Sequence, residues 1–279
     1  MRPPSPPSTP PREEPALYAF AEADDITYQL ETLQRLLDPT TRMVLDSLDT
    51  PTGQEWLEIG YGLGSIAREL SRRIGPSGAV HATDLSARSV SAPTGGAPIH
   101  TFPLDLRTDS LPPRPFLGIH GRLVLLHIPE RREILTRLVD ALEPGGVLVL
   151  EDWFCPTAPR VLNCADPTDA KIFTEVVEGV LAVLRNRGAD LEWAASTHEA
   201  FAEAGLTGIR AVRTEPDCAG PGPAHRLYAC NARQLRPQLQ ALGVADELLD
   251  RFQEIVVQPD LVTTGWRLIS TVGTKPGKH

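Results

Sequence analysis

The stretch Leu57-Glu58-Ile59-Gly60-Tyr61-Gly62-Leu63-Gly64 constrains this chain most. It reads as an apolar strand with an acid near its end, then three glycines at alternating positions. Glycines let the backbone take dihedrals that a Cβ forbids and let it approach a ligand closely. The segment from Ser65 to Arg73 reads as a helix, whose first turn carries unpaired N–H groups and the positive end of a dipole. Strand, glycine turn and helix in that order form a cradle for a nucleotide-like ligand.

Two ligand classes suit such a turn: a dinucleotide and S-adenosylmethionine. The dinucleotide pattern is G-x-G-x-x-G/A. Aligned on Gly60 and Gly62, its third small position falls on Ser65, and Gly64 comes one place early. The pattern here is E-x-G-x-G-x-G. A carboxylate at Glu58 would repel a pyrophosphate and attract an ammonium or sulfonium. Asp84 ends the apolar run Ala79–Thr83, where a ribose-binding acid belongs for either ligand, with Leu85 after it. Asp105 ends a weaker strand, 99–104, where an acid can accept from an adenine amino group, with the Leu106 N–H facing the ring. Either acid could be an ordinary turn residue; both at these spacings favour a ligand site.

These residues resemble the class I S-adenosylmethionine-dependent methyltransferases, specifically the bacterial small-molecule, natural-product branch. The match rests on Glu58, Gly60, Gly62 and Gly64, then Asp84, then Asp105-Leu106, then the helix end, turn and strand of 142–150. It spans about residues 15–275 and is densest over 55–153. The segment His120–Leu135 is also similar to that branch. The resemblance implies a Rossmann-like α/β fold: a seven-stranded sheet, mostly parallel, with an antiparallel last strand. It also implies N-terminal helices over the cofactor and cofactor contacts from Leu85, His120 and Gly121; a helical insertion at roughly 218–262, between the last two strands, would be a departure from the family's minimal fold and a candidate substrate cap.

The alternation of strands and helices from Glu55 onward independently predicts a parallel sheet with right-handed crossovers. Strands are expected near 55–59, 79–83, 99–104, 116–124 and 146–152, and helices near 64–74, 86–91 and 130–142. Ile26, Leu30, Leu33 and Leu37 have helical spacing, and Pro39 predicts a break with a second short helix from Thr40 or Thr41. Later helices are expected at 168–187 and 198–205, with two more over 231–258. Strands are expected at 206–213 and 266–274. The expected organisation is a proline-rich disordered leader (1–15), a helical lid (16–50), a cofactor-binding core (51–217), a helical cap (218–262) and a last strand with tail (263–279).

Methyl transfer from a sulfonium is an in-line displacement with a neutral leaving group, so alignment and exclusion of water matter most. A base is needed only if the acceptor must lose a proton. His127, Glu151 and Asp152 are the catalytic candidates, with His120 a further candidate base. Strand alternation sends Glu151 and Asp152 to opposite faces. Arg122 could hold an acceptor carboxylate or carbonyl. Tyr18, Phe20 and Tyr28 are the lid aromatics, and Trp153 and Trp266 could wall an aromatic acceptor. Each of these could equally be a packing residue.

Net charge is −9, which opposes nucleic acid as partner. No window approaches the ~18 apolar residues of a membrane helix, and the N-terminus lacks the apolar core of a secretion signal. The four cysteines form no C-x-x-C and match no zinc spacing, and the remaining histidines show none either, so no metal is expected. The reading is a cytoplasmic enzyme acting on a small hydrophobic metabolite, aromatic or indole-containing as a guess, with a homodimer left open. The alternatives are an NAD-dependent oxidoreductase using the same turn, a non-catalytic cofactor-binding protein and, more weakly, a nucleic-acid methyltransferase.

Overall fold

A computed structural model describes residues 20, 26–86, 88–113 and 115–277. The expected leader, 1–15, and Tyr18 lie outside the described residues. The chain forms α1 (Ile26–Asp46), β1 (Glu55–Ile59), α2 (Ser65–Ile74), β2 (Ala79–Asp84), β3 (Ile99–Pro103), β4 (Phe116–Arg122), α3 (Arg131–Asp140) and β5 (Leu142–Phe154). Then come β6 (Val161–Asn163), α4 (Pro167–Asn186), α5 (Trp193–Glu203), β7 (Thr207–Thr214) and β8 (Asp217–Ala219). The chain continues through α6 (Pro223–Gln234), α7 (Arg236–Ala241), α8 (Asp246–Ile255), β9 (Val262–Thr264) and β10 (Arg267–Thr274).

The main sheet has the order β3-β2-β1-β4-β5-β10-β7. Its first five strands pair parallel, and β10 enters antiparallel between β5 and β7. Strands flanked by helices are buried on both faces, so β1 is apolar at consecutive rather than alternate positions, with Trp56, Leu57 and Ile59 fully buried. Strand order reverses between β1 and β4, and that switch point leaves a crevice at their carboxyl ends.

Three expectations are corrected, and one element is added. Pro39 does not end α1, which runs unbroken from Ile26 to Asp46. Pro39 removes one N–H, but Asp38 and Thr41, on either side of it, are bonded to Arg122, and this holds both turns in one helix. The helix expected near 86–91 is absent among the described residues there. Instead the buried Tyr61 hydroxyl donates to the Arg88 carbonyl (2.8 Å) and accepts from the Arg88 N–H, fixing a non-helical path. The two helices expected over 231–258 are three, α6 to α8, starting earlier at Pro223. A small antiparallel sheet, β6-β9-β8, was not anticipated, because three-residue strands carry too little periodicity to read.

Candidate functional site

At the end of β1 the chain turns through Gly60, Gly62 and Gly64, with φ of +66°, +54° and +78°. A Cβ at Gly60 would lie 2.4 Å from Val124 Cγ2, and one at Gly64 would lie 2.7 Å from the Val90 methyls. Both positions therefore need glycine for conformation and for space. A Cβ at Gly62 would meet Leu30 Cδ2 of α1 at 3.3 Å, so the helix lies directly over the turn.

The turn and α1 enclose a cavity of about 300 Å³. Its floor is the backbone from Gly60 to Leu63, and its roof is Ile26, Leu30, Leu33 and Gln34 of α1. One flank is Asp84 to Ser86 with Asp105 and Leu106; the other is Arg122 to Val124 with His127 and Ile128. Asp84 Oδ2 accepts from the Gly62 N–H (3.0 Å) and Oδ1 from the Ser86 N–H (3.2 Å). Both partners are backbone amides, so the carboxylate is aimed into the turn, and among the described residues no cation is paired with it. Leu85 beside it is 55% exposed, an uncovered apolar side chain at the cavity wall. Asp105 is gripped by Arg107 (Nη2–Oδ2, 2.7 Å), and that bond holds its carboxyl below the usual range.

Four amides of the turn are engaged. Gly60 and Tyr61 donate to the Thr83 carbonyl (2.7 and 3.2 Å), Gly62 to Asp84, and Gly64 to the Tyr61 carbonyl (2.7 Å).

Three expected ligand contacts sit elsewhere. Glu58 does not face the cavity: it is buried, and its Oε2 receives His120 Nδ1 at 2.6 Å. His120 is wholly buried, and its Nε2 reaches Glu151 Oε2 at 3.1 Å. Burial alone would lower the ring's pKa, but the two carboxylates outweigh it and raise it to about 9, leaving an imidazolium clasped by two acids. Gly121 is a packing glycine; a Cβ there would lie 2.5 Å from Ile59 Cγ1.

Of the catalytic candidates, only His127 lines the cavity. Burial, and then the Arg131 charge, push its imidazole down to about 4, so it is neutral at pH 7. Glu151 and Asp152 do point to opposite faces, and neither lines the cavity. Glu151 accepts from Thr41 (2.5 Å), Ser270 (2.5 Å) and His120, and despite burial these bonds hold its carboxyl low. Asp152 is buried, and burial holds its carboxyl well above the usual carboxylate range.

Arg122 lines the cavity and bonds Asp38 Oδ1 (3.0 Å) and Thr41 Oγ1 (2.8 Å) of α1. Tyr28 is exposed and lines neither this cavity nor a second one. Phe20 is buried in the core. Trp153 and Trp266 meet at 5.3 Å between ring centroids in the wall of that second cavity, away from the glycine turn.

The sequence matches the methyltransferase domain family over residues 28–210. The chain belongs to the S-adenosylmethionine-dependent methyltransferases. Among this family's characterised and uncharacterised members, it is similar to aklanonic acid methyltransferase DauC of Streptomyces sp. (strain C5). That match is 28% identical over 114 residues, 39% of this chain and 52% of DauC. It is 31% identical over 115 residues to the uncharacterized methyltransferase Rv0089 of Mycobacterium tuberculosis, covering 41% of this chain and 58% of that protein. The matched segment thus spans about half the length of these relatives. The fold resembles a Haemonchus contortus phosphoethanolamine N-methyltransferase 2 solved with S-adenosyl-L-methionine, with TM-score 0.54, 15% identity, and coverage of 95% of this chain and 61% of that one. It also resembles a Bacillus halodurans structure described as a putative methyltransferase, with TM-score 0.52, 17% identity, and coverage of 85% and 98%.

For a member of this family, reading the sequence missed four residues that shape the cavity: Asp38 and Thr41, which pin α1, and Val124 and Ile128, which wall it. Asp38 and Thr41 flank a proline in a helix, and only the observation that both face β4 reveals their task.

Proposed function

We propose that this protein moves the methyl group of S-adenosylmethionine to a small hydrophobic metabolite, in the manner of natural-product methyltransferases. The observation that carries this reading is the Asp84 carboxylate, held against the glycine turn by backbone amides. Ribose hydroxyls are donors that such a carboxylate accepts. The exposed Leu85 and buried Leu106 offer apolar faces for the adenine, and the glycines leave the room that Cβ atoms would fill. When bound, the cofactor would supply an electrophilic methyl on a sulfonium.

The protein's own part is then alignment and exclusion of water. The apolar stripe Ile26, Leu30 and Leu33 covers the cavity, and Arg122 fixes α1 in that position. His127 is neutral and stands in the wall of the cavity, where an acceptor would pass it. A base with so low a pKa orients an acceptor better than it removes a proton. We read 218–262 as the cap over the acceptor. A metabolite substrate is supported by DauC, whose name gives aklanonic acid; an indole remains a guess.

The test is calorimetric titration with S-adenosylhomocysteine, with NAD as control, followed by transfer of labelled methyl to a panel of phenols, indoles and carboxylic acids. Binding of S-adenosylhomocysteine with no NAD heat, and label in an extractable product, is the expected result. NAD binding without S-adenosylhomocysteine binding would overturn it. Cofactor binding with no transfer to any acceptor would favour the non-catalytic alternative.

A further inference from the structure

Further along α1, above the carboxyl ends of β5 and β7 and the start of β10, lies a second cavity of about 420 Å³. The first cavity takes Leu30 and Leu33 from α1; the second takes Leu37 and Thr40. Seven residues of helix rise about 10 Å, so the two cavities are neighbours beneath one helix. Arg122, in the wall of the first, bonds Asp38 and Thr41 of the same helix, and Thr41 bonds Glu151. Glu151 lies two residues before Trp153 on the same face of β5, and Trp153 is already in the second cavity's wall.

Three aromatic rings form a corner in that wall. Trp153 and Trp266 lie 5.3 Å apart at 57°, and Trp266 and Tyr228 lie 5.1 Å apart at 77°. Two of the rings are fixed independently of any ligand. The Trp266 indole N–H donates to the Thr157 carbonyl (3.2 Å), and Tyr228 packs edge-on against the fully buried Phe173 (5.6 Å). A flat ring laid on one face of this corner meets the edge of the next, the geometry aromatic pairs prefer. Among the described residues lining the cavity the one charged side chain, Glu215, is paired with Arg267 (Nε–Oε2, 2.7 Å), so its charge is already met. Burial pushes the Tyr228 hydroxyl up, so it stays protonated.

We infer that this second cavity binds a flat, uncharged aromatic ring system, and that it is where the methyl acceptor is held. The acceptor role rests on the methyl-transfer reading above; the ring site does not. The corner is preorganised, so little ordering cost accompanies binding. The acceptor's ring system lies in the second cavity, and its reacting atom reaches past the Arg122 contact toward the first.

The experiment is a fluorescence titration of the full-length protein with 2-naphthol, with and without saturating S-adenosylhomocysteine. Wild type, Trp266→Leu and Thr40→Trp are compared, the last filling the cavity from α1. The expected result is 2-naphthol binding that persists in the presence of S-adenosylhomocysteine. It should weaken about tenfold or more in both variants, while both keep the wild-type affinity for S-adenosylhomocysteine, which also reports that they fold. Displacement of S-adenosylhomocysteine by 2-naphthol, or equal 2-naphthol affinity in wild type and variants, would overturn the inference. So would tighter binding of tetramethylammonium than of 2-naphthol, which would make the corner a cation cage. If wild type binds no S-adenosylhomocysteine, the cofactor assignment and the acceptor role fall, and the 2-naphthol comparison still decides the ring site.

Discussion

Asp84 and His120 are both charged residues at strand ends, and they meet different fates. Asp84 keeps its carboxylate at the cavity because two amide hydrogens hold it there. Replacing it with Ala removes the acceptor for a pair of hydroxyls. We expect S-adenosylhomocysteine affinity to fall by about tenfold to a hundredfold, as hydrogen bonds to a charged group are worth roughly 1.5–3 kcal/mol; calorimetry checks this, and unchanged affinity would move the ribose site. His120 is instead a structural cation between Glu58 and Glu151. Its folded-state pKa, about 9, lies above the ordinary 6.5. The protonated ring therefore stabilises the fold fully below pH 6.5, and that contribution is lost as pH rises through 9. The linked free energy is on the order of 3 kcal/mol. Denaturant midpoints should fall between pH 7 and 10 in wild type, and His120→Leu should be less stable at pH 7 with a flatter alkaline slope. An identical slope in the two proteins would rule the clasp out as its source. Gly60, Gly62, Gly64 and Asp84 were legible in sequence because their spacing is itself the signal. The bond between Glu58 and His120 was not legible, because sequence gives a residue's place on a strand but not its partner on the next one. The pairing of Glu58 with His120 is a register fact of β1 beside β4.

At the scale of elements, α1 ties the two cavities together. Its amino-terminal half roofs the first, and Thr41, Asp38 and Arg122 pin it to the sheet, while Ser65 at the start of α2 donates to Asp38 at 3.0 Å. Gln29 adds a bond to Asn231 of α6 (2.7 Å). Thr41→Val removes the hydroxyl that joins Glu151 to Arg122 while keeping shape. Amide exchange over 26–37 should then quicken and cofactor affinity should drop, with the sheet's protection unchanged; exchange confined to its wild-type rate would show that the pin is redundant. Gly62→Val places a branched side chain at φ +54° against Leu30, so it should block the cofactor and lift α1. Sheet order and the type of most elements followed from periodicity. The continuity of α1 through Pro39 did not, because proline's local penalty is visible in sequence and the contacts that outweigh it are not.

Across the whole molecule, cofactor binding couples to stability, since the cavity exists only when β1, β2, β4 and α1 are assembled. A hundredfold excess of S-adenosylhomocysteine over its dissociation constant adds about 2.7 kcal/mol. We expect a melting temperature higher by several degrees, and a clearly smaller shift in Asp84→Ala at the same ligand concentration; equal shifts in the two would place the ligand elsewhere. The sheet also has a temporal order built into it. β7 finds its sheet partner only in β10, and β10 is the strand that fills the gap between β5 and β7. On the ribosome, β5 and β7 must therefore wait, each with an open edge, while more than fifty further residues, 215–266, are made. The nascent chain can assemble its cofactor half early, but it stays adhesive along β5 until residues 267–274 have emerged, and that interval is when this chain has most need of a chaperone.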